Sequence, residues 1–580
     1  MKLKKTLAIL MVLAMLVVGA PITAIAAGGV CSIGGVSYSS IKEAVAAAQD
    51  GDVINVTSNT SVSEKMTITK KIELTSTNGS EITVSVSEAF NIGSGYKVES
   101  TPGDVTVSGN LKITASKATM FYVLSGTITI KDNVYLKCNN SQYVLDSEAA
   151  GQVPAYMNIY GGTLESTSPA NDKGTIFFGG KDSVLNITGG KIIQNQANSY
   201  VIKMRADHGK VNISGGHLKA VNNTIAVYDA FAGKEVNISG GTVEATGESV
   251  IKMFSKCDYL TVNVSGNAVL KAKEKTLKIS SPMSTVNVTG GTIIATNNTP
   301  VDMRYGTLNV TGGKFILEGG DSSSVMVKSA YSETEFMTGT VNINGGLFIN
   351  KNATNTKIMT DITQDTNPIN YNGGKILYKS NVTSIMENKL EAPKTVEVTY
   401  EGEKYNVYSR SAGADKKYAG TMNADESIRF ADGSTGLRFV ASFSKSAVSS
   451  LASQGTVTYG MIIVPVEYVA AADSFTVEAL TAKYGANGYL NIACAANKGV
   501  VTNADGSVTV QAAIVNVKAE NYDTAFAAVA YACVNGQYYY TAFDQNANSA
   551  TVKDVAAAAL ADTTATYTDA QKTVLNAFAG

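Results

Sequence analysis

Nine hexapeptides of one form, an apolar residue, Asn, an apolar residue, a variable residue and a glycine, followed in eight of them by a second glycine, recur through the middle of this chain and leave few folds open to it. They are Met157-Asn-Ile-Tyr-Gly-Gly162, Leu185-Asn-Ile-Thr-Gly-Gly190, Val211-Asn-Ile-Ser-Gly-Gly216, Val236-Asn-Ile-Ser-Gly-Gly241, Val262-Asn-Val-Ser-Gly-Asn267, Val286-Asn-Val-Thr-Gly-Gly291, Leu308-Asn-Val-Thr-Gly-Gly313, Val341-Asn-Ile-Asn-Gly-Gly346 and Ile369-Asn-Tyr-Asn-Gly-Gly374. Their first glycines stand 22 to 33 residues apart. Periods of that length belong to stacked repeat architectures. Weaker copies at Val105-Thr-Val-Ser-Gly-Asn110 and Ile130-Lys-Asp-Asn133 extend the array upstream, to about a dozen units.

Each unit divides into three short strands. In Val211-Asn-Ile-Ser214 the apolar residues alternate with polar ones, so Val and Ile face inward and Asn outward. Gly215-Gly216 is expected to supply positive φ angles for a turn. His217-Leu-Lys-Ala220 and Thr224-Ile-Ala-Val227 read as the second and third strands. Leucine-rich repeats share the period but need a Leu-x-x-Leu-x-Leu signature that is absent here. The predicted architecture is a right-handed parallel β-helix, with the helix Ser39 to Ala48 covering its start. Ser39 and Ser40 offer an N-cap, and Ile41, Ala44, Val45 and Ala48 share one face.

The entry Tyr38-Ser-Ser-Ile-Lys-Glu-Ala-Val, followed by Gly51-Asp-Val-Ile-Asn-Val56, resembles the start of pectate-lyase-like β-helix proteins. With the repeats, the resemblance covers roughly residues 36–378. It implies the fold; it does not select an activity, because that superfamily holds lyases, hydrolases, tailspikes and non-catalytic surface proteins. Calcium would be expected only if the chain were a lyase, and no other cofactor or metal is expected.

Lys2, Lys4 and Lys5 precede an apolar run, Leu7 to Val18, and a small-residue stretch ending at Ala26, which reads as a secretory signal peptide over residues 1–26. No later run is long enough to span a bilayer. The expected location is extracellular or loosely cell-surface, with no membrane span in the mature protein and no covalent wall-sorting signal. Lys and Arg total 47 against 48 Asp and Glu, so nothing electrostatic favours nucleic acid. Two histidines and five scattered cysteines argue against His-based catalysis and a disulfide framework. Cys494 and Cys533 are read as small core residues, although a bridge between them stays open.

Aligned third strands place Lys203, Ala226, Lys252, Lys278, Asp302 and Met326 in one outward column and Arg205, Tyr228, Phe254, Ser280, Arg304 and Lys328 in the next. Lys203, Arg205, Tyr228, Lys252, Phe254, Lys278, Asp302 and Arg304 therefore form a basic strip with aromatic members. Such a strip suits an acidic polysaccharide, and equally it is what any solvated strand face requires. The outward Asn column is expected to hydrogen-bond from coil to coil. The carboxylates Asp229, Asp258, Asp302 and Asp321 fall at different coil positions, so no pair suited to glycoside hydrolysis is visible and no catalytic residue is assigned.

After about Lys379 the repeats stop. Residues 379–422 read as a linker and a hairpin, and 423–580 as an α+β domain with a mostly antiparallel sheet and helices over Lys445–Ser453, Val552–Ala561 and Asp569–Phe578. The division expected is leader 1–26, cap 27–52, β-helix 53–378, linker and hairpin 379–422, and C-terminal domain 423–580. Gly436-Leu-Arg-Phe439, Tyr459-Gly-Met-Ile-Ile-Val-Pro465 and Val552-Lys-Asp-Val-Ala-Ala-Ala-Ala-Leu resemble an accessory module at the C-termini of clostridial-type secreted proteins. Arg438, a charge in an apolar strand, is expected in a structural ion pair, with ligand contact the other reading. The functional expectation is a monomeric, non-catalytic surface or adhesion protein binding a polysaccharide or host glycan. A polysaccharide lyase or glycoside hydrolase and a structural spacer are the alternatives.

Overall fold

The computed structural model describes residues 28–580 apart from 117–118, 140–142, 148–151, 169–171, 229–232, 254–258, 333–336, 363–368, 387–389, 392–396, 412–419, 424 and 432, so the expected leader lies outside the described residues. The chain is mainly β, with a parallel solenoid of about 11 turns and a C-terminal mixed sheet. It forms two compact units, dividing between Val211 and Asn212.

In the first unit the helix Ile41–Ala47 opens on Ser40, whose hydroxyl accepts from the Glu43 amide. Glu43 in turn accepts from the amide and hydroxyl of Ser39, so both serines are used. Ile41, Ala44 and Val45 are buried, as their spacing predicts. The helix is not the only terminator: Cys31–Ile33 pairs antiparallel with the first coil strand, Asp52–Val56. An antiparallel neighbour closes an edge that would otherwise template further parallel pairing.

Each coil then contributes three strands in parallel register. Ile54, Leu74, Val107, Ile130, Ile159 and Ile187 stack on one another along the first sheet of this unit. Phe90 and Phe121 stack in the third sheet with ring centroids 4.9 Å apart. That is one coil spacing. These side chains are wholly buried, and each contributes roughly 1.5–3 kcal/mol over its exposed state.

The second unit repeats the scheme. Thr261–Val264 and Val269–Ala272 alternate between buried and half-buried positions. Ile225, Ile251, Leu277, Val301 and Val327 form the inner ladder of its third sheet. The glycine pairs do not work as their composition suggests. Only the second glycine of a full pair takes positive φ, as at Gly241 (+73°) and Gly291 (+77°). The first is required for space: a Cβ on Gly240 would collide with the Ser214 carbonyl, and one on Gly345 with that of Thr311. One residue turns the chain and the other lets successive turns approach.

The last coil strand, Ile369–Tyr378, is covered by an antiparallel strand, Glu403–Ser411, which pairs Leu377 with Val407 and Ile376 with Tyr408. This strand forms the expected hairpin with Glu397–Tyr400. Its far end pairs Arg410 with Asp544. Lys375 donates to the carbonyls of Ala470 and Ala472. Gln545 donates to the Val407 carbonyl at 3.1 Å and accepts from the Ser409 amide at 2.9 Å.

The following sheet is mostly antiparallel. Gly436–Phe443 pairs with Val508–Val515, and Val457–Pro465 lies between Leu490–Ala496 and Phe526–Val534. Helices Lys445–Ala452, Val552–Ala561 and Asp569–Ala579 fall where the sequence predicts them. Two more, Val466–Ala471 and Val477–Tyr484, do not feature in that reading. Cys494 and Cys533 are free thiols, and burial pushes the Cys494 thiol up to about 11.

Candidate functional site

In the second unit, third-strand pairing sets Ala226, Lys252, Lys278 and Asp302 in one column, as the alignment predicts. The next position departs from that alignment. Asp302 pairs with Lys328, and Met326 precedes the strand and is wholly buried. A shift of two residues preserves alternation, so the apolar pattern alone does not detect it. Ala226, predicted outward, is also fully buried, and Asp302 is only 1% exposed. The outer face of this sheet is therefore partly covered rather than evenly solvated.

Asp302 lies 2.6 Å from Lys275 Nζ and 3.7 Å from Arg304 Nε. Lys252 Nζ contacts Glu248 Oε2 at 2.5 Å, and Asn223 donates to the same oxygen at 3.1 Å. Burial pushes the Glu248 carboxyl up, but hydrogen bonds from Lys252 and Asn223 and the charges of Lys252 and Lys278 outweigh it, so its pKa falls below the usual range. Lys278 moves the other way for a cation: burial first, then Lys252, Lys275 and Arg304, lower its pKa, with Glu248 opposing. Among the described residues Lys278 has no ion-pair partner. Four cations thus surround two carboxylates, and the central one is uncompensated.

Lys203 belongs to the first unit, where it is buried and pairs with Asp172 Oδ2 at 2.6 Å. Arg205 is half-buried in the same unit and Tyr228 half-buried in the second. Phe254, Asp229 and Asp258 lie outside the described residues. Glu248 and Lys275 belong to the second-unit cluster and were not among the sequence candidates, and Lys328, expected in the neighbouring column, stands beside Asp302 in this one. The signal for Glu248 was available, since it stands four residues before Lys252.

The Asn column is a hydrogen-bonded ladder. Asn186 donates to Asn158 at 2.9 Å in the first unit. In the second, Asn237 donates to Asn212 and Asn263 to Asn237, both at 2.8 Å. Asn287, Asn309, Asn342 and Asn370 continue the chain at 2.9 to 3.0 Å. Every internal amide donates one N–H to one neighbour and accepts at its oxygen from the other, so each rung is tied to the rungs on both sides.

Chemically, the cluster around Lys278 can hold an anionic group, and a lysine of lowered pKa can also accept a proton. Among the described residues no three His, Cys, Asp or Glu side chains stand close enough to hold a metal ion, and no helix is long and apolar enough to cross a membrane. No protein-family model, curated protein or solved structure matches the chain.

Proposed function

We propose that this is an extracellular surface protein whose third-strand face, around Lys278, binds acidic polysaccharide without cleaving it. The observation that carries the reading is Lys278 itself, a half-buried ammonium among Lys252, Lys275 and Arg304 with no ion-pair partner among the described residues. Carboxylates spaced along a polymer would supply the missing charge, on a column whose rungs recur about every 4.8 Å. The leader-like N-terminus and the resemblance of the entry segment to pectate-lyase-like β-helices support an extracellular, polysaccharide-directed role.

The lowered pKa of Lys278 also favours a second reading, in which it abstracts a proton as a lyase base. One experiment separates them. Affinity gels containing polygalacturonate, hyaluronate or dextran are run with the wild type and with Lys278→Gln, while ultraviolet absorbance follows unsaturated products. Retardation by an acidic polymer only, weakened by salt and reduced about tenfold in the variant, is expected without product. Equal retardation by dextran, or none, sinks the binding reading. Product lost in the variant installs the lyase.

A further inference from the structure

A cavity, unrelated to the Lys278 face, lies in the C-terminal part of the chain. It has a volume of about 660 Å³ and opens between strands Ser427–Arg429 and Gly436–Phe443 on one side and helices Val552–Ala561 and Asp569–Ala579 on the other. That is within the range of small-ligand pockets and larger than a single amino acid fills.

Its walls carry polar groups of both signs whose capacity is unspent. Arg438 donates through Nε and Nη2 to one acceptor, Ser427 Oγ, at 3.0 and 2.9 Å. The ion pair expected for it is not formed with any described residue, and Nη1 is left without a partner among them. Glu426, the residue before Ser427, also lines the cavity, and its Oε1 is buried without a hydrogen-bond partner. Burial raises the pKa of that carboxyl, as it does for an acid lacking a counter-charge. Gln571 spends its Oε1 on the Thr568 amide in a capping box, leaving its NH2 group for the cavity. The Phe430 and Tyr567 rings, with centroids 5.9 Å apart and planes tilted by 56°, form an aromatic corner. Asp554 and Asp562 line the helix side and weight that rim with negative charge.

Native proteins seldom leave such groups unsatisfied, and a buried charge without a counter-charge is the more costly case. A ligand supplying an anion to Arg438, a donor to Glu426 and an apolar face to the rings would satisfy all of them. A neutral sugar offers hydroxyls but no charges, and a simple anion leaves Glu426 unpaired. We propose that this cavity binds a short zwitterionic peptide, its carboxylate on Arg438, its ammonium on Glu426 and a side chain against Phe430 and Tyr567. The site is independent of the solenoid face.

Calorimetry on the full chain tests it, with the dipeptide alanyl-tyrosine, its N-acetylated and C-amidated forms, and glucose as probes. Alanyl-tyrosine is expected to bind, with blocking either end weakening it at least about tenfold. In Arg438→Gln, amidation should cease to matter, and in Glu426→Gln, acetylation should cease to matter. The wild-type comparison of free and blocked dipeptides stands even if a variant does not fold. Equal binding of the doubly blocked peptide, binding of glucose alone, or no binding of any peptide overturns the assignment.

Discussion

Two outward columns of the second unit are built on the same coils and meet opposite fates. The first-strand column carries Asn at every rung from Asn212 to Asn370, and each internal amide donates to one adjacent rung and accepts from the other. The third-strand column carries Ala226, Lys252, Lys278, Asp302 and Lys328, a mixture of apolar, basic and acidic rungs. Repetition lets the polar groups of a face bind one another, which leaves fewer of them for a ligand. Where the repeat is broken, charges face neighbours that do not match them, and a partner from outside can bind. In a solenoid the variable column is thus the informative one.

Four measurements would break or sharpen that contrast. The largest effect belongs to neither face. Phe315 is fully buried and stacks on Phe348 with centroids 4.6 Å apart, so Phe315→Ala should cost about 3–5 kcal/mol. Denaturant unfolding that showed under 1 kcal/mol would mean that the coils do not depend on their interior.

Next is Asn263→Ala, which removes one rung and strands the Asn237 carbonyl and the Asn287 NH2 group. The expected loss is about 1–2 kcal/mol, with polysaccharide retardation unchanged. Lys278→Gln should do the reverse, weakening retardation about tenfold while stability stays within about 0.5 kcal/mol. If both variants lose stability and neither loses binding, the two faces are of one kind.

The smallest effect concerns Lys375, whose pKa burial lowers to about 8, with Asp473 opposing and Lys483 assisting. Its folded pKa lies below its unfolded one, so between about pH 8 and 10 the unfolded chain holds more protons and stability rises with pH. Relative to Lys375→Met, the wild type should gain on the order of 1 kcal/mol over that window. A flat difference between the two melting curves would show that Lys375 keeps its proton throughout.

Much of the solenoid was legible because its determinants are local and repeated. Val262-Asn-Val264 announces its own faces, and the shared Asn position announces the ladder. The third strands were legible only to the parity of their alternation. Between Gly312 and Gly345 the repeat lengthens to 33 residues, and a slip of two positions put Met326 where Lys328 stands. Burial of Ala226 on an outward position depends on what lies over the sheet, which no strand pattern encodes. In the C-terminal part, Val466–Ala471 went unread because six residues after Pro465 hold too few turns to show a helical period. The cavity beside Arg438 combines residues more than a hundred positions apart, from Glu426 to Gln571. The lone Arg438 was its one visible trace.

The antiparallel strand Glu403–Ser411, laid on the last coil strand, has a consequence for how such a chain can change length. A parallel coil accepts another parallel coil, whereas an antiparallel strand with its own hairpin partner presents a different ladder and ends the series. Coils can then be gained or lost in the interior of the array by duplication or deletion of whole units, while the closing strand and everything it carries keep their fit. The number of rungs becomes a quantity that evolution can adjust to the length of a ligand, without redesigning the place where the array stops.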